Sequence, residues 1–260
     1  MRIVIKIGTS TLAHKTGRLN IRRTEKLCKV VSDLKNAGHE ILLVSSGAIG
    51  MGVGKLSLCE RPCDIPTKQA AAAIGQCELM YTYDKLFSQY HHTVAQILIT
   101  GEDINYKNRR TNIQNTMFKL LEFGAIPIIN ENDSIATDEI VIGDNDTLSA
   151  IVAVTVSADL LIVLSDIDGL YTSDPHKCSD ARLLHSITEI TPEIMDMTGG
   201  AGSKLGTGGM TTKIKAAEIA TDNGTDMIIA NGSDPDVLYD LVEGKKIGTR
   251  FYANKKGAKV

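Results

Sequence analysis

The 260-residue chain has no tryptophan, four phenylalanines and only 4% aromatic residues, so it offers little for stacking nucleic-acid bases. Its 28 lysines and arginines are outnumbered by 31 acidic residues, and a net charge of −3 leaves no basic footprint for nucleic acid. No apolar run reaches the length of a membrane span, and the N-terminus enters a charged strand at once, without a secretory apolar region. The five cysteines are odd in number and lack framework spacing, which predicts a reducing, cytoplasmic setting. Cys59 and Cys63 have no second Cys/His pair at ligand spacing, nor do His91 and His92, so no protein-held metal is expected. Linkers, low-complexity tracts and internal repeats are missing too. The basic run Lys255–Lys259 is short and reads as a solvated end.

What the chain does have is a glycine- and hydroxyl-rich octapeptide, Gly206-Thr207-Gly208-Gly209-Met210-Thr211-Thr212-Lys213, running into a helical pattern. Glycines let backbone approach a ligand, and the first turn of a helix offers N–H groups to an anion. The order is not that of a Walker A loop, because Lys213 follows a threonine and precedes an isoleucine. A second loop of the same chemistry opens the chain. The β-branched run Arg2–Ile7 reads as a buried strand, interrupted by Lys6 just before Gly8-Thr9-Ser10. Two lysines beside Gly/hydroxyl loops suggest a clamp on a transferring phosphoryl group.

Strand-like and helix-like segments alternate along the chain. Strands are predicted at 2–7, 40–45, 94–99, 125–129, 159–164, 227–230 and 249–251, with a small hairpin over 135–142. Helical patterns fall around Leu27–Leu34, Ala70–Leu86, Met117–Leu121 and Thr147–Ser157. Later helices start at Pro192 and Thr211 and after Pro235, the prolines sitting behind Thr191 and Asp234 as caps. This alternation predicts one three-layer α/β/α sandwich with a mainly parallel central sheet. Residues 1–260 are expected to form a single domain with two functional lobes, 1–155 and 156–260.

Polar clusters Ser45-Ser46-Gly47, Asn130–Ser134 and Ser165–Tyr171 follow strands, and a fourth, Gly143–Thr147, opens a helix. Each residue type also favours turns and caps, so one cluster alone would be structural. Four of them on strand exits of a parallel sheet converge on one rim, where ligands bind in such folds. The acidic and amide-rich clusters suit an ammonium-bearing ligand, and the Gly/Lys loops suit phosphates. Together they predict phosphoryl transfer from a nucleotide to a small zwitterion.

Six ordered blocks resemble the glutamate 5-kinases of the amino-acid kinase family over essentially the whole chain: 4–10, 44–49, 129–133, 143–146, 169–175 and 206–213. The Gly-Thr-Ser after Lys6 favours that branch over relatives with a Gly-Gly pattern, such as aspartate, acetylglutamate and carbamate kinases. The resemblance implies ATP-dependent phosphorylation of the side-chain carboxylate of L-glutamate, the first step of proline synthesis. It implies that Ser46, Gly47, Asp133 and Asn145 hold glutamate. By the same resemblance Lys6, Gly8, Thr9, Ser10, Ser165, Asp166 and Thr207, Gly208, Gly209, Met210, Thr211, Thr212 and Lys213 hold ATP. Lys6 and Lys213 would neutralise the transferring group, with Asp146 positioning both. Magnesium would arrive on the nucleotide phosphates. Proline as a feedback inhibitor, a homo-oligomer and the lack of a C-terminal PUA domain are further expectations. Two rival readings are an enzyme of the same family with a different carboxylate or phosphate acceptor, and a non-catalytic amino-acid sensor. A sensor would have no need of Lys6, Lys213 and Asp146.

Overall fold

The computed structural model describes residues 1–14, 16, 18–58, 60, 62–136, 144–175, 178, 180–197 and 209–254. Its elements begin with β1 (Arg2–Ile7), α1 (Thr9–Leu12), α2 (Ile21–Asn36), β2 (Glu40–Ser45), α3 (Ala48–Lys55) and α4 (Ile65–Ser88). Next come β3 (Val94–Ile99), α5 (Gly101–Asn105), α6 (Lys107–Glu122), β4 (Ile126–Glu131), α7 (Asn145–Thr155) and β5 (Leu160–Ser165). The last are β6 (Ser186–Ile187), α8 (Pro192–Met197), α9 (Met210–Asp222), β7 (Asp226–Asn231), α10 (Val237–Val242) and β8 (Thr249–Phe251).

The strands form one sheet in the order β3-β4-β2-β1-β5-β7-β8-β6. Every pairing is parallel except β7 with β8, as expected for strands joined by helical crossovers. The first four strands make one half of the sheet and the last four the other, meeting where β1 pairs with β5.

Alternation along the strands builds two cores. Ile3, Ile5, Ile7, Ile41 and Leu43 pack on one face with Leu27, Val31, Leu79 and Tyr83 of α2 and α4. Val4, Leu42 and Val44 pack on the other with residues of α6, α7 and α9. The result is the three-layer sandwich that the alternating pattern predicts.

Several local expectations need correction. α7 begins at Asn145 rather than Thr147, because Asp144 caps it by accepting from the Thr147 N–H at 2.8 Å. α10 begins at Val237, and Asp234 does not cap it; its carboxylate accepts from the Asp236 N–H at 3.0 Å in a local turn. The small-residue stretch from Ala48 is helical, and a two-residue strand, β6, pairs with β8. Of the expected 135–142 hairpin, Ile135 and Ala136 lie in a turn closed on Asn132 O, while 137–142 fall outside the described residues. Among the described residues no helix is long and apolar enough to cross a membrane.

Candidate active site

The site starts from the period of β1. Lys6 is in step with Val4, so its side chain leaves the sheet on the face covered by α7 and α9. On α7, Asp146 shares a helical stripe with Ala150 and Ala153; on α9, Lys213 shares one with Ala217 and Ala220, and all six are buried. These alanines let two helices pack closely while delivering one carboxylate and one ammonium group to the same place. Lys6 Nζ lies 2.7 Å from Asp146 Oδ1, and Lys213 Nζ donates to Asp146 Oδ2 at 3.0 Å. Given carboxylate geometry, the two ammonium nitrogens are therefore no more than about 8 Å apart.

Asp146 is 1% exposed, and its contact with Lys6 is ionic without hydrogen-bond alignment. Burial alone would push its carboxyl upward, but the charges of Lys6 and Lys213 outweigh burial and hold it below the usual carboxylate range. Thr212 Oγ1 lies 3.1 Å from Asp146 Oδ2 and 2.8 Å from Gly209 O, tying the start of α9 to the same carboxylate. Among the described residues no side chain caps α9, whose first turn carries no acidic residue. Two ammonium groups on one carboxylate, next to such a helix start, favour an anionic ligand.

A second polar cluster is built by the exits of β2 and β4. Ser46 precedes Gly47, whose φ of 106° suits only glycine comfortably and turns the chain from β2 into α3. Asn145 Nδ2 donates to Ser46 Oγ at 2.8 Å and to Asn130 Oδ1 at 3.0 Å. Asp133 is half-buried, and among the described residues its carboxylate has no hydrogen-bond or ion-pair partner. Burial pushes it up to about 6, the behaviour of a carboxylate short of a cation.

The remaining predicted residues divide. Gly8, Thr9 and Ser10 follow β1, and a Cβ on Gly47 would sit 3.8 Å from Thr9 Cγ2, so the loops after β1 and β2 touch. Ser165 is buried at the end of β5, beside Asn231 of β7, while Asp166 is exposed. Met210 rests partly buried against the core, and Gly209 and Thr211 are exposed at the start of α9. Thr207 and Gly208 lie outside the described residues, as does Gly143.

Sequence reasoning named Asn130 only as part of a polar cluster and gave Gln76 no role, yet both belong to the hydrogen-bonded chain that ends at Ser46. It also left out Asn231, which donates to Asp168 at 2.8 Å beside Ser165. Among the described residues no three His, Cys, Asp or Glu side chains gather as a metal site would require. The one deeply buried carboxylate of the site is already held by two ammonium groups. The residues present therefore fit a magnesium ion carried on nucleotide phosphates.

The sequence model of the Amino acid kinase family matches residues 1–231. The chain is 55% identical over 258 residues to the glutamate 5-kinase of Clostridium perfringens, spanning 98% of this chain and 96% of that protein. It is 50% identical over 259 residues to that of Listeria monocytogenes, spanning 98% and 94%. The glutamate 5-kinase of Carboxydothermus hydrogenoformans is 51% identical over 256 residues, spanning 98% of this chain and 68% of that protein. In three dimensions the carbamate kinase of Giardia lamblia bound to AMP-PNP superposes with a TM-score of 0.69 at 18% identity, over 97% of this chain and 98% of that one. The UMP kinase of Bacillus anthracis gives 0.65 at 16% identity, over 97% and 96%. The distant structures establish the fold, and the family match and close relatives establish membership: the chain belongs to the amino acid kinase family.

Proposed function

We propose that this chain phosphorylates the side-chain carboxylate of L-glutamate with ATP, giving L-glutamyl 5-phosphate for proline synthesis in the cytoplasm. The observation that carries the reading is Asp146 holding Lys6 and Lys213 together on its two oxygens. A glutamate side chain has a pKa of about 4.3, so the nucleophile is ionised at neutral pH without a general base. Asp146, held below the usual range, is a poor proton acceptor and acts by placing charge. The obstacle is repulsion between two anions.

The acceptor carboxylate oxygen forms the new bond to the γ-phosphorus. The bond from that phosphorus to the β–γ bridging oxygen breaks, and ADP leaves with the electron pair. Lys6 and Lys213 offset charge on the phosphoryl oxygens, and the start of α9 from Gly209 to Lys213 binds the phosphates. Magnesium on the nucleotide supplies further charge neutralisation. Ser46, Gly47, Asp133 and Asn145 hold glutamate, with Asp133 taking the α-ammonium. Gly8, Thr9, Ser10, Ser165 and Asp166 line the nucleotide side, together with Thr207 and Gly208. In this reading residues 1–155 serve mainly glutamate and residues 156–260 mainly ATP. Proline competes at the glutamate site, where its ammonium would also meet Asp133, and the chain forms a homo-oligomer.

The test is an acceptor panel with ATP and magnesium, scored by ADP release and by trapping the acyl phosphate with hydroxylamine. L-Glutamate should give the highest kcat/KM. Faster turnover of aspartate, N-acetylglutamate, carbamate or UMP would overturn the assignment.

A further inference from the structure

Behind the acceptor residues runs a line of side-chain amides that starts on α4. Gln76 is buried there, 8% exposed, and its Oε1 accepts from Asn130 Nδ2 at 3.0 Å. Asn130 Oδ1 in turn accepts from the Glu131 N–H at 2.9 Å and from Asn145 Nδ2 at 3.0 Å. Asn145 Nδ2 places its second hydrogen on Ser46 Oγ at 2.8 Å.

The two ends of an amide have nearly the same shape, so only hydrogen-bond partners decide which end faces where. Asn130 is fixed from both sides, by a backbone donor at its oxygen and by Gln76 at its nitrogen. That order propagates. Both hydrogens of Asn145 Nδ2 are spent inside the protein, so Oδ1 is the end left for a ligand, and it can only accept. The Ser46 hydroxyl already accepts from Asn145, so its own proton is left to donate. One acceptor for an ammonium group beside one donor for a carboxylate is the polarity a zwitterion needs.

Gln76 Nε2, meanwhile, is buried with no hydrogen-bond partner among the described residues. An apolar side chain here would remove that orphan but would leave Asn130 Nδ2 without its acceptor. What the amide contributes is its oxygen, facing Asn130.

We propose that Gln76 is a positioning residue for acceptor specificity, holding Asn130 so that Asn145 and Ser46 present a fixed acceptor–donor pair to an α-amino acid. The proposal rests on the reading that Asn145 and Ser46 bind glutamate. Gln76→Met, of similar length, removes the accepting oxygen together with the orphaned donor. Gln76→Glu keeps an oxygen for Asn130 Nδ2 and exchanges the orphaned NH2 for a second carboxyl oxygen, which carries a charge when ionised.

Each variant and the wild type are assayed with ATP against L-glutamate and against glutarate, which lacks the ammonium group. Gln76→Met should raise the glutamate KM at least tenfold and cut the glutamate-over-glutarate preference in kcat/KM at least tenfold. Its KM for ATP should stay within threefold, and kcat should change far less than the glutamate KM. Gln76→Glu should keep the preference within threefold of wild type. A folded Gln76→Met with unchanged glutamate KM and preference overturns the proposal alone. So does an equal loss of preference in both variants, which would place the effect in the missing donor or in packing. If Gln76→Met does not fold, Gln76→Leu, which also lacks the accepting oxygen, is read by the same criteria. Wild-type protein that ignores glutamate overturns this proposal and the glutamate assignment together.

Discussion

Replacing Asp146 with asparagine tests the centre of the site. The carboxylate is 1% exposed, and its partners' side chains are only 10% and 6% exposed. Removing one member of a buried ion pair typically costs about 3–5 kcal/mol, because the other charge is left uncompensated. Here two ammonium groups are stranded, although the amide oxygen of asparagine still serves one of them. A loss of about 3 kcal/mol lowers Tm by about 6–12 °C for a domain of this size. The pH dependence has a definite sign. Asp146 has a folded pKa below its ordinary value, so its contribution is complete above the unfolded value and is lost as pH falls through the folded one. The Tm gap between wild type and Asp146→Asn should therefore be flat from pH 8 to about 5 and close only below about 4.

Turnover should fall by about 10²- to 10³-fold, the usual loss for a misplaced charge-stabilising donor. KM for ATP should rise less, since the start of α9 still faces the phosphates. A double variant, Lys6→Met with Asp146→Asn, removes one stranded ammonium group. It should regain part of the lost Tm, about 0.5–3 kcal/mol of non-additivity, without regaining kcat. Thermal unfolding and steady-state kinetics read these outcomes. A single variant within 2 °C and threefold in kcat of wild type, with each figure only about the size of ordinary surface effects, would refute the reasoning.

Lys213→Ala should lower kcat at least about 100-fold while the far-UV circular dichroism stays that of the wild type. Asp133→Asn should raise the glutamate KM and leave the KM for ATP unchanged. It should also abolish the fall in kcat/KM that wild type shows as pH drops through about 6, where the carboxylate loses the charge that holds an ammonium group. The raised pKa means the ionised carboxylate costs the folded state stability at pH 7. Asp133→Asn should accordingly gain about 1 kcal/mol after allowance for solvent screening, or about 2–4 °C in Tm. Gly75→Ala would set a Cβ 1.8 Å from Ala48 O and 2.5 Å from Gly52 N, forcing α3 and α4 apart. Such overpacking typically costs about 1–3 kcal/mol, and because α3 follows directly from Ser46 and Gly47, the glutamate KM should rise with the fall in Tm.

What the sequence revealed follows from how local each signal is. β1, β2 and β5 are nearly continuous apolar runs, and their strand character needs no partner to be read. The lysines were visible because each stands beside a glycine- and hydroxyl-rich loop. The helix carrying Asp146 was started at Thr147, two residues late, although Asp144 is a favoured N-cap residue. α3 was hidden by its glycines, which lower helix propensity locally. Of these, Gly52 is required because a Cβ there would meet the α4 backbone at Ala71 O, a demand set by tertiary structure. Gln76 had no local signal at all. It is one amide in an alanine-rich helix, and its partner Asn130 is 54 residues away.

With Lys6 and Lys213 assigned to the nucleotide and Asp133 to the acceptor, as proposed above, the two ends of the site handle charge in opposite ways. At the nucleotide end, Asp146 compensates Lys6 and Lys213 before any ligand arrives, so their positions are fixed by the fold and little reorganisation is left for the reaction. Asp146 can do this only because α7 starts early enough to include it and because the period of β1 sends Lys6 to the same face as α9. At the acceptor end, Asp133 has no such partner among the described residues, and burial makes its ionised form costly. Binding an ammonium group there relieves a penalty already present in the free protein. A ligand without that group forgoes the relief, so on the proposed assignment selection for an amino acid rests as much on the discomfort of one carboxylate as on any contact made to it.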